Sequence, residues 1–448
     1  MQKTLTTNAT HTELKAMAIA TIDEQTNRIV ELSREIQRNP EVGFREHGTA
    51  QRLVEQLEHM GLDYRTGLAR TGVKARMRGR SDRFTVAILG ELDSVITPDH
   101  PLADPDTGAA HACGHHIEIA AMIGAALGLQ AVMEHLDGDV VLFGVPAEEL
   151  IDVDWRLSLR DAGELEFVCG KPELIRLGEF DDIDLGMITH PGTSGQESLF
   201  EMDHSWLGAI LKKVRFHGLT AHAGENPHEG INALKALTLA MTAIDSQQET
   251  YRDEDSIRVS QLVVNSGDMV STIPGTTDLE VMIRGRSVEA MQDASAKIDR
   301  SMHAGAIAVG ARVEIDTVVG CFPFAQDEPL VEVVDANART LFGDSEIDSH
   351  AGAHGASTDS GDLQMLMPMV LPIVRSGCDG LIHSKDYQID DHVLTAVNNA
   401  KLLASSVIDL LCDGAANAAS VIDRSGPKLT RDEYLTIRRS METKKTFG

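Results

Sequence analysis

Apolar positions recur at helical spacing from about Ala16 to Asn39 (Ile19, Ile22, Ile29, Leu32, Ile36), and Pro40 ends the run. A second helical pattern covers His47 to Met60 and stops at Gly61. The period then shortens. Phe84 to Glu91 (FTVAILGE) is a β-rich run, and a loop containing Pro and Asp follows it to Ala110. A strongly apolar helix is predicted over Ile117 to Leu136. After Gly138 the run DVVLFGVPAEE reads as a buried strand with two acids at its end. Helix and strand alternating in this way predict an α/β layered domain.

From Trp206 the pattern becomes strand, helix, strand, strand, helix, strand. The segments are Trp206 to Phe216, Gly230 to Ile244, Ser256 to Val264, Thr277 to Arg286, Val288 to Ala304 and Arg312 to Val319. This is the order of the split, ferredoxin-like unit. Signals of the first kind resume at Val331 to Leu341, Met369 to Val374 and Leu394 to Leu411. The expected organisation is an α/β domain made of residues 1–205 and 321–448, with a ferredoxin-like α+β domain, residues 206–320, inserted into it. The C-terminal tail is polar and basic relative to the rest, and is expected to be mobile or to make an oligomer contact.

A chain of 448 residues with 42% hydrophobic content can fill two such cores. No stretch approaches the length of a membrane span. The polar start, Met1 to about Thr12, has no apolar core with a cleavage site behind it, so it does not read as a signal peptide, and a cytoplasmic location is expected. Five scattered cysteines make a poor disulfide framework and suit a reducing compartment, where a thiolate can act as a ligand. A formal charge of -29 argues against a nucleic-acid partner. It leaves the substrate open, because a pocket can be locally positive on an acidic protein.

Four segments carry candidate chemistry. In HACGHHIE, Cys113 and His115 stand two apart just before the apolar helix, where both could reach one pocket; thiolate and imidazole suit Zn, Mn, Fe or Co, and simple packing suits them equally. Glu148 and Glu149 follow a buried strand, where two bare charges could not both be desolvated. One resolution is a metal held by one Glu with the other facing a water; a solvated loop pair is the alternative. His190 follows a short apolar strand, and His383 lies far on in the resumed α/β portion. Their accumulation beside apolar runs, where strand ends gather, points to one metal centre.

These motifs in this order resemble the M20 metallopeptidase and amidohydrolase family, in the branch with a Cys-Gly-His metal motif that holds the aminobenzoyl-glutamate hydrolases and similar acyl-amino-acid or dipeptide hydrolases. The resemblance runs nearly end to end through NPEVGFRE (39–46), GELD (90–93), HACGHH (111–116), VPAEE (145–149), MITHPG (187–192), GLTAHAGENPHEGINAL (218–234), ASTDSGDL (356–363) and GLIHS (380–384). It implies a hydrolase-like α/β metallopeptidase domain with an inserted ferredoxin-like α+β dimerisation domain. It implies metal ligands at Cys113, His115, Glu149, His190 and His383 for one or two divalent ions per protomer, Mn or Zn, with Glu148 as general base. Asp93 falls at an acidic position that orients the site. His222 falls at a histidine that reaches across a dimer interface to steady the oxyanion, and Asn232 and Arg284 fall where a substrate carboxylate is held. Asn232 could equally cap its helix, Arg284 could be a surface strand residue, and Asp359 and Asp362 could lie near the site or form a turn.

Two departures matter. His116 stands where the family has Asp or Asn, a position from which it could add a ligand, alter the metal number or fill space, and SVITPDHP (94–101) replaces the usual Ala-Leu-Pro. The expected protein is a homodimer or higher homo-oligomer that hydrolyses a C–N bond of a small carboxylate-bearing substrate, most simply the amide of an N-acyl amino acid. An aromatic aminohydrolase releasing ammonia from an activated aminobenzoate such as nitroanthranilate is the alternative reaction. A metal-dependent binding protein without catalysis is the third reading, and the second carboxylate at Glu148 counts against it.

Overall fold

The computed structural model describes residues 10–202, 204–349 and 352–448, and they divide into two compact units. The polar start falls largely on residues 1–9, outside the described residues.

The first unit takes residues up to Ser205 together with Ala325–Ala353 and Leu363–Arg431. Its main sheet has six strands in the order Tyr64–Leu68, Gly72–Met77, Asp139–Val145, Thr85–Glu91, Leu185–Met187, Met369–Val370. The last four run parallel, and the first two join antiparallel at one edge. Both central strands are buried along their whole length, as their unbroken apolar runs require. Helix His115–Gln130 is apolar all round beyond its first turn and buried from His115 to Leu129, with helices His11–Glu24, Thr26–Gln37 and Asn398–Leu411 packed on it. The run expected as one helix from Ala16 to Asn39 is two, broken at Gln25. The apolar stripe passes through the break, from Ile22 to Ile29, so periodicity does not register it.

The second unit takes Trp206–Phe324 with His354–Asp362 and Asp432–Gly448. Its antiparallel sheet runs Arg258–Asn265, Thr276–Gly285, Gly208–His217, Arg312–Cys321, Thr443–Phe447, with helices Ala233–Asp245 and Val288–Val309. The C-terminal tail is structured: it forms helix Arg431–Met441 and a fifth strand. That strand (TKKTF) carries two exposed lysines at a sheet edge, so its composition conceals it. Among the described residues no single helix is long and apolar enough to cross a membrane.

Candidate metal centre

Strands Thr85–Glu91 and Asp139–Val145 pair in register, Glu91 opposite Val145, and Leu92 N–H adds one more bond to Val145 O at 2.9 Å. Both chains therefore leave the sheet together at their C-terminal ends, the place where open α/β sheets gather functional groups. The first delivers Asp93 and the second Glu148 and Glu149. His190 arrives from Leu185–Met187 and is held by parallel pairing of His190–Pro191 with Ile373–Val374. Cys113 and His115 flank Gly114 (φ 99°) at the start of the buried helix. His383 sits in the left-handed region (φ 66°), and its N–H donates to Ala112 O at 2.8 Å.

The sheet thus gathers six residues from four distant segments. Ligand atoms of Cys113, His115 and His190 lie within 4.8 Å of one another, as do those of Cys113, Glu149 and His383, and those of His115, Glu148 and Glu149. Cys113 Sγ is 3.3 Å from His190 Nε2, and His383 Nε2 is 2.9 Å from Glu149 Oε1. His190 Nδ1 donates to Pro191 O at 2.7 Å and His115 Nδ1 to Asp93 O at 2.9 Å, so each ring turns Nε2 toward the cluster. Asp93 has no exposure. Its Oδ2 accepts from Glu149 N–H at 3.0 Å and its Oδ1 is 3.3 Å from His115 Nδ1, which ties two of the candidate ligands to one acid.

The electrostatics are those of a pocket rich in anions. Burial opposes charge on His115, yet Cys113 and Glu91 hold its pKa well above the usual value. Burial and then Glu149 push the Cys113 thiol well up. Burial would raise Glu149, but its bond to His383 brings it down to about 2. His190 is lowered to about 4 by burial and then by His115. His115 Nε2 is buried and makes no hydrogen bond, although Glu91 Oε2 stands 3.0 Å away. Thiolate, imidazole and carboxylate donors around a buried ring nitrogen that makes no hydrogen bond fit a transition-metal ion, whose charge would answer the same field.

Sequence reasoning missed the support beside His115 Nε2. Lys171, fully buried, donates to Glu91 Oε1 at 2.5 Å and keeps Glu91 ionised against the penalty of burial. Glu118 Oε2 accepts the Glu91 N–H at 3.0 Å, and burial followed by repulsion from Glu91 raises its pKa well above the carboxylate range. The GELD motif could have flagged Glu91. Lys171 carries no local signal, since it lies 80 residues from its partner.

His116 belongs to none of these metal-type groups. It is buried against His111 and His392, with ring centroids 5.3 and 5.8 Å away. The loop at Ser94–Pro101 is tied into the fold: Val95–Ile96 pairs with Ala109–Ala110, and His100 Nε2 donates to Tyr387 O at 2.9 Å. In the second unit His222 is exposed and its Nδ1 accepts the N–H groups of Gly224 (3.2 Å) and Glu225 (3.0 Å), which leaves the proton on Nε2. Asn232 caps its helix, Oδ1 accepting from Lys235 N–H at 3.1 Å. Arg284 is half-buried on Thr276–Gly285, with Nε buried and without a hydrogen bond. Asp362 is neither a turn residue nor open to a ligand, being fully buried in an ion pair with Arg438 at 2.7 Å.

One glycine sets the clearance of the acid loop. Gly170 N–H donates to Ala147 O at 3.0 Å, and a Cβ at 170 would stand 1.6 Å from Pro146 O. Gly170→Ala is therefore expected to destabilise the fold by about 3 kcal/mol, at the upper end for overpacking. A denaturant titration checks this, and an unchanged midpoint would mean that the loop has room to move.

The sequence profile of peptidase family M20/M25/M40 matches residues 87–407. The chain is 28% identical over 422 residues to the Xaa-Arg dipeptidase of Mus musculus, covering 89% of each chain. It is 27% identical over 312 residues to a component of the p-aminobenzoyl-glutamate hydrolase of Escherichia coli, covering 67% of this chain and 58% of that one. A dinuclear metal binding peptidase of the M20 family from Bacillus subtilis superposes with a TM-score of 0.65 at 20% identity, over 87% of this chain and 99% of that one, a likeness of fold. With the matched residues spanning the strand ends and every segment that feeds the cluster, the chain belongs to peptidase family M20/M25/M40 and is a metal-dependent amide hydrolase.

Proposed function

We propose that the protein hydrolyses the amide of an N-acyl amino acid or dipeptide bearing a free carboxylate. Cys113, His115, Glu149, His190 and His383 would hold one or two divalent ions, Mn or Zn, and Glu148 would act as general base. The observation that carries this reading is the Glu148–Glu149 pair: Glu149 lies with Cys113 and His383, while half-buried Glu148 lies with His115 on the same cluster. A divalent ion bound there would polarise the carbonyl and lower the pKa of a water. Glu148 takes the proton of the attacking water and passes it to the departing nitrogen. Asp93 keeps His115 and Glu149 in place while this happens.

The protein acts as a homodimer in this proposal, with His222 of one copy donating its Nε2 proton to the oxyanion formed in the other. The tautomer imposed by Gly224 and Glu225 supports that role. The edge strand Arg258–Asn265 supports the dimer, exposing Leu262, Val263 and Val264 where a second strand could pair. Arg284 is the better carboxylate-binding candidate, because its guanidinium carries a positive charge and its buried Nε makes no hydrogen bond to the described residues.

The test is turnover by Mn-loaded protein on a panel of N-acyl amino acids, p-aminobenzoyl-glutamate, dipeptides and aminobenzoates, read by mass spectrometry. An acid and an amine in equal amounts are expected. Ammonia with a hydroxylated ring would replace this reading by an aminohydrolase that releases ammonia from an activated aminobenzoate such as nitroanthranilate. The altered family loop at Ser94–Pro101 keeps that arm in the panel.

A further inference from the structure

Among the described residues the NPEVGFRE segment contributes no atom to the metal-type groups, yet it touches the loops that carry Asp93 and the Glu148–Glu149 pair. Ser94 N–H and Oγ–H both donate to Glu41 O at 2.9 Å, one residue beyond Asp93. Gly43 lies so close to the second loop that a Cβ on it would stand 2.8 Å from Ala147 Cα. Ala147 is held at φ 51°, a conformation a residue with a side chain rarely adopts, directly before Glu148. Its N–H donates to Glu46 Oε1 at 2.8 Å, and Thr71 Oγ–H donates to Glu46 Oε2 at 2.5 Å. Glu46 is fully buried.

We propose that Glu46 is a positioning residue: by accepting the Ala147 N–H it fixes the left-handed turn that aims Glu148 and Glu149 into the site. Ala147 O is fastened by Gly170 N–H and Glu149 N–H by Asp93, so the loop has three anchors, and Glu46 supplies the side-chain anchor on the strained residue itself. If that anchor is lost, Ala147 relaxes toward an ordinary conformation and the peptide that carries Glu148 turns with it. The proposal rests on Glu148 being the base, since misdirecting a base lowers the chemical step and leaves substrate binding in place.

The experiment compares Glu46→Ala, Glu46→Gln and Leu14→Ala as Mn-loaded full-length proteins, on whichever N-acyl amino acid or dipeptide the wild type cleaves. Leu14, buried in helix His11–Glu24, controls for loss of stability alone. Glu46→Ala is expected to lower kcat about 30-fold with KM and metal content unchanged. Glu46→Gln, whose side-chain oxygen can still accept the Ala147 N–H, should stay within about threefold of wild type, and Leu14→Ala should keep the wild-type kcat. The proposal falls if Glu46→Ala keeps its kcat, if Gln fails to rescue, or if kcat simply follows the melting temperature across all three. Should Glu46→Ala not fold, Thr71→Val removes one bond to Glu46 at constant volume; kcat should drop several-fold, and an unchanged kcat overturns the proposal. Glu148→Gln run in parallel separates the two claims. Turnover retained there removes the base reading, while the Ala-against-Gln contrast at position 46 still decides whether Glu46 sets the loop.

Discussion

Replacing Glu148 by Gln is expected to lower kcat by about a thousandfold while metal content stays at the wild-type level. Gln matches Glu in size and keeps one acceptor oxygen, so the half-buried position can be filled without disturbing Ala147 or Glu149. It cannot take a proton from water at neutral pH, and that is the property the proposed step uses. The neighbouring substitution, Glu149→Gln, should behave differently. Glu149 is buried, ionised down to about pH 2 and grouped with Cys113 and His383, so its neutralisation should lower metal affinity first and activity as a consequence. Metal analysis beside steady-state kinetics distinguishes the two. Loss of metal from Glu148→Gln would make Glu148 a ligand, and full activity in it would move the base elsewhere.

Most of the cluster was legible in the sequence because its members sit next to a local signal, whereas His383 lies in a turn beside no helix or strand. Glu148 and Glu149 end an unbroken apolar strand, Cys113 and His115 open an apolar helix, and His190 follows a short apolar strand. Such positions are set by the chain's own period, and the parallel sheet then brings their ends together. What sustains the cluster was not legible. Lys171 reaches Glu91 from 80 residues away, and Glu46 reaches Ala147 from 101 residues away. Neither lysine nor glutamate carries any mark of burial in the sequence, since both are surface residues in most proteins. The same holds for the inserted unit. Its six-element order follows from alternation, whereas the strand Thr443–Phe447 is added by pairing with Arg312–Cys321, a contact no local pattern announces.

Arg438→Met is expected to destabilise the second unit by about 3–5 kcal/mol, because it leaves a buried carboxylate without its cation. Arg438 and Asp362 are both fully buried. The Asp362 carboxylate accepts from Arg438 at 2.7 Å, from Tyr434 Oη at 2.7 Å and from Phe322 N–H at 3.1 Å. The guanidinium goes on to donate to Val319 O at 2.6 Å and Gly320 O at 3.2 Å. Burial alone pushes the Asp362 pKa up, and the guanidinium is the largest influence working against it. Methionine fills most of the arginine's volume, so the loss isolates the charge. Combining Arg438→Met with Asp362→Asn should therefore recover part of the stability, the mark of a coupled pair. Helix Arg431–Met441 leads straight into the edge strand Thr443–Phe447, so amide exchange in that strand should quicken in the single variant. A loss below about 1 kcal/mol, within the range of exposed pairs, would mean that water reaches Asp362 once the arginine is gone. A double variant no more stable than the single one would show that Tyr434 and Phe322 hold the carboxylate without help from the arginine's charge.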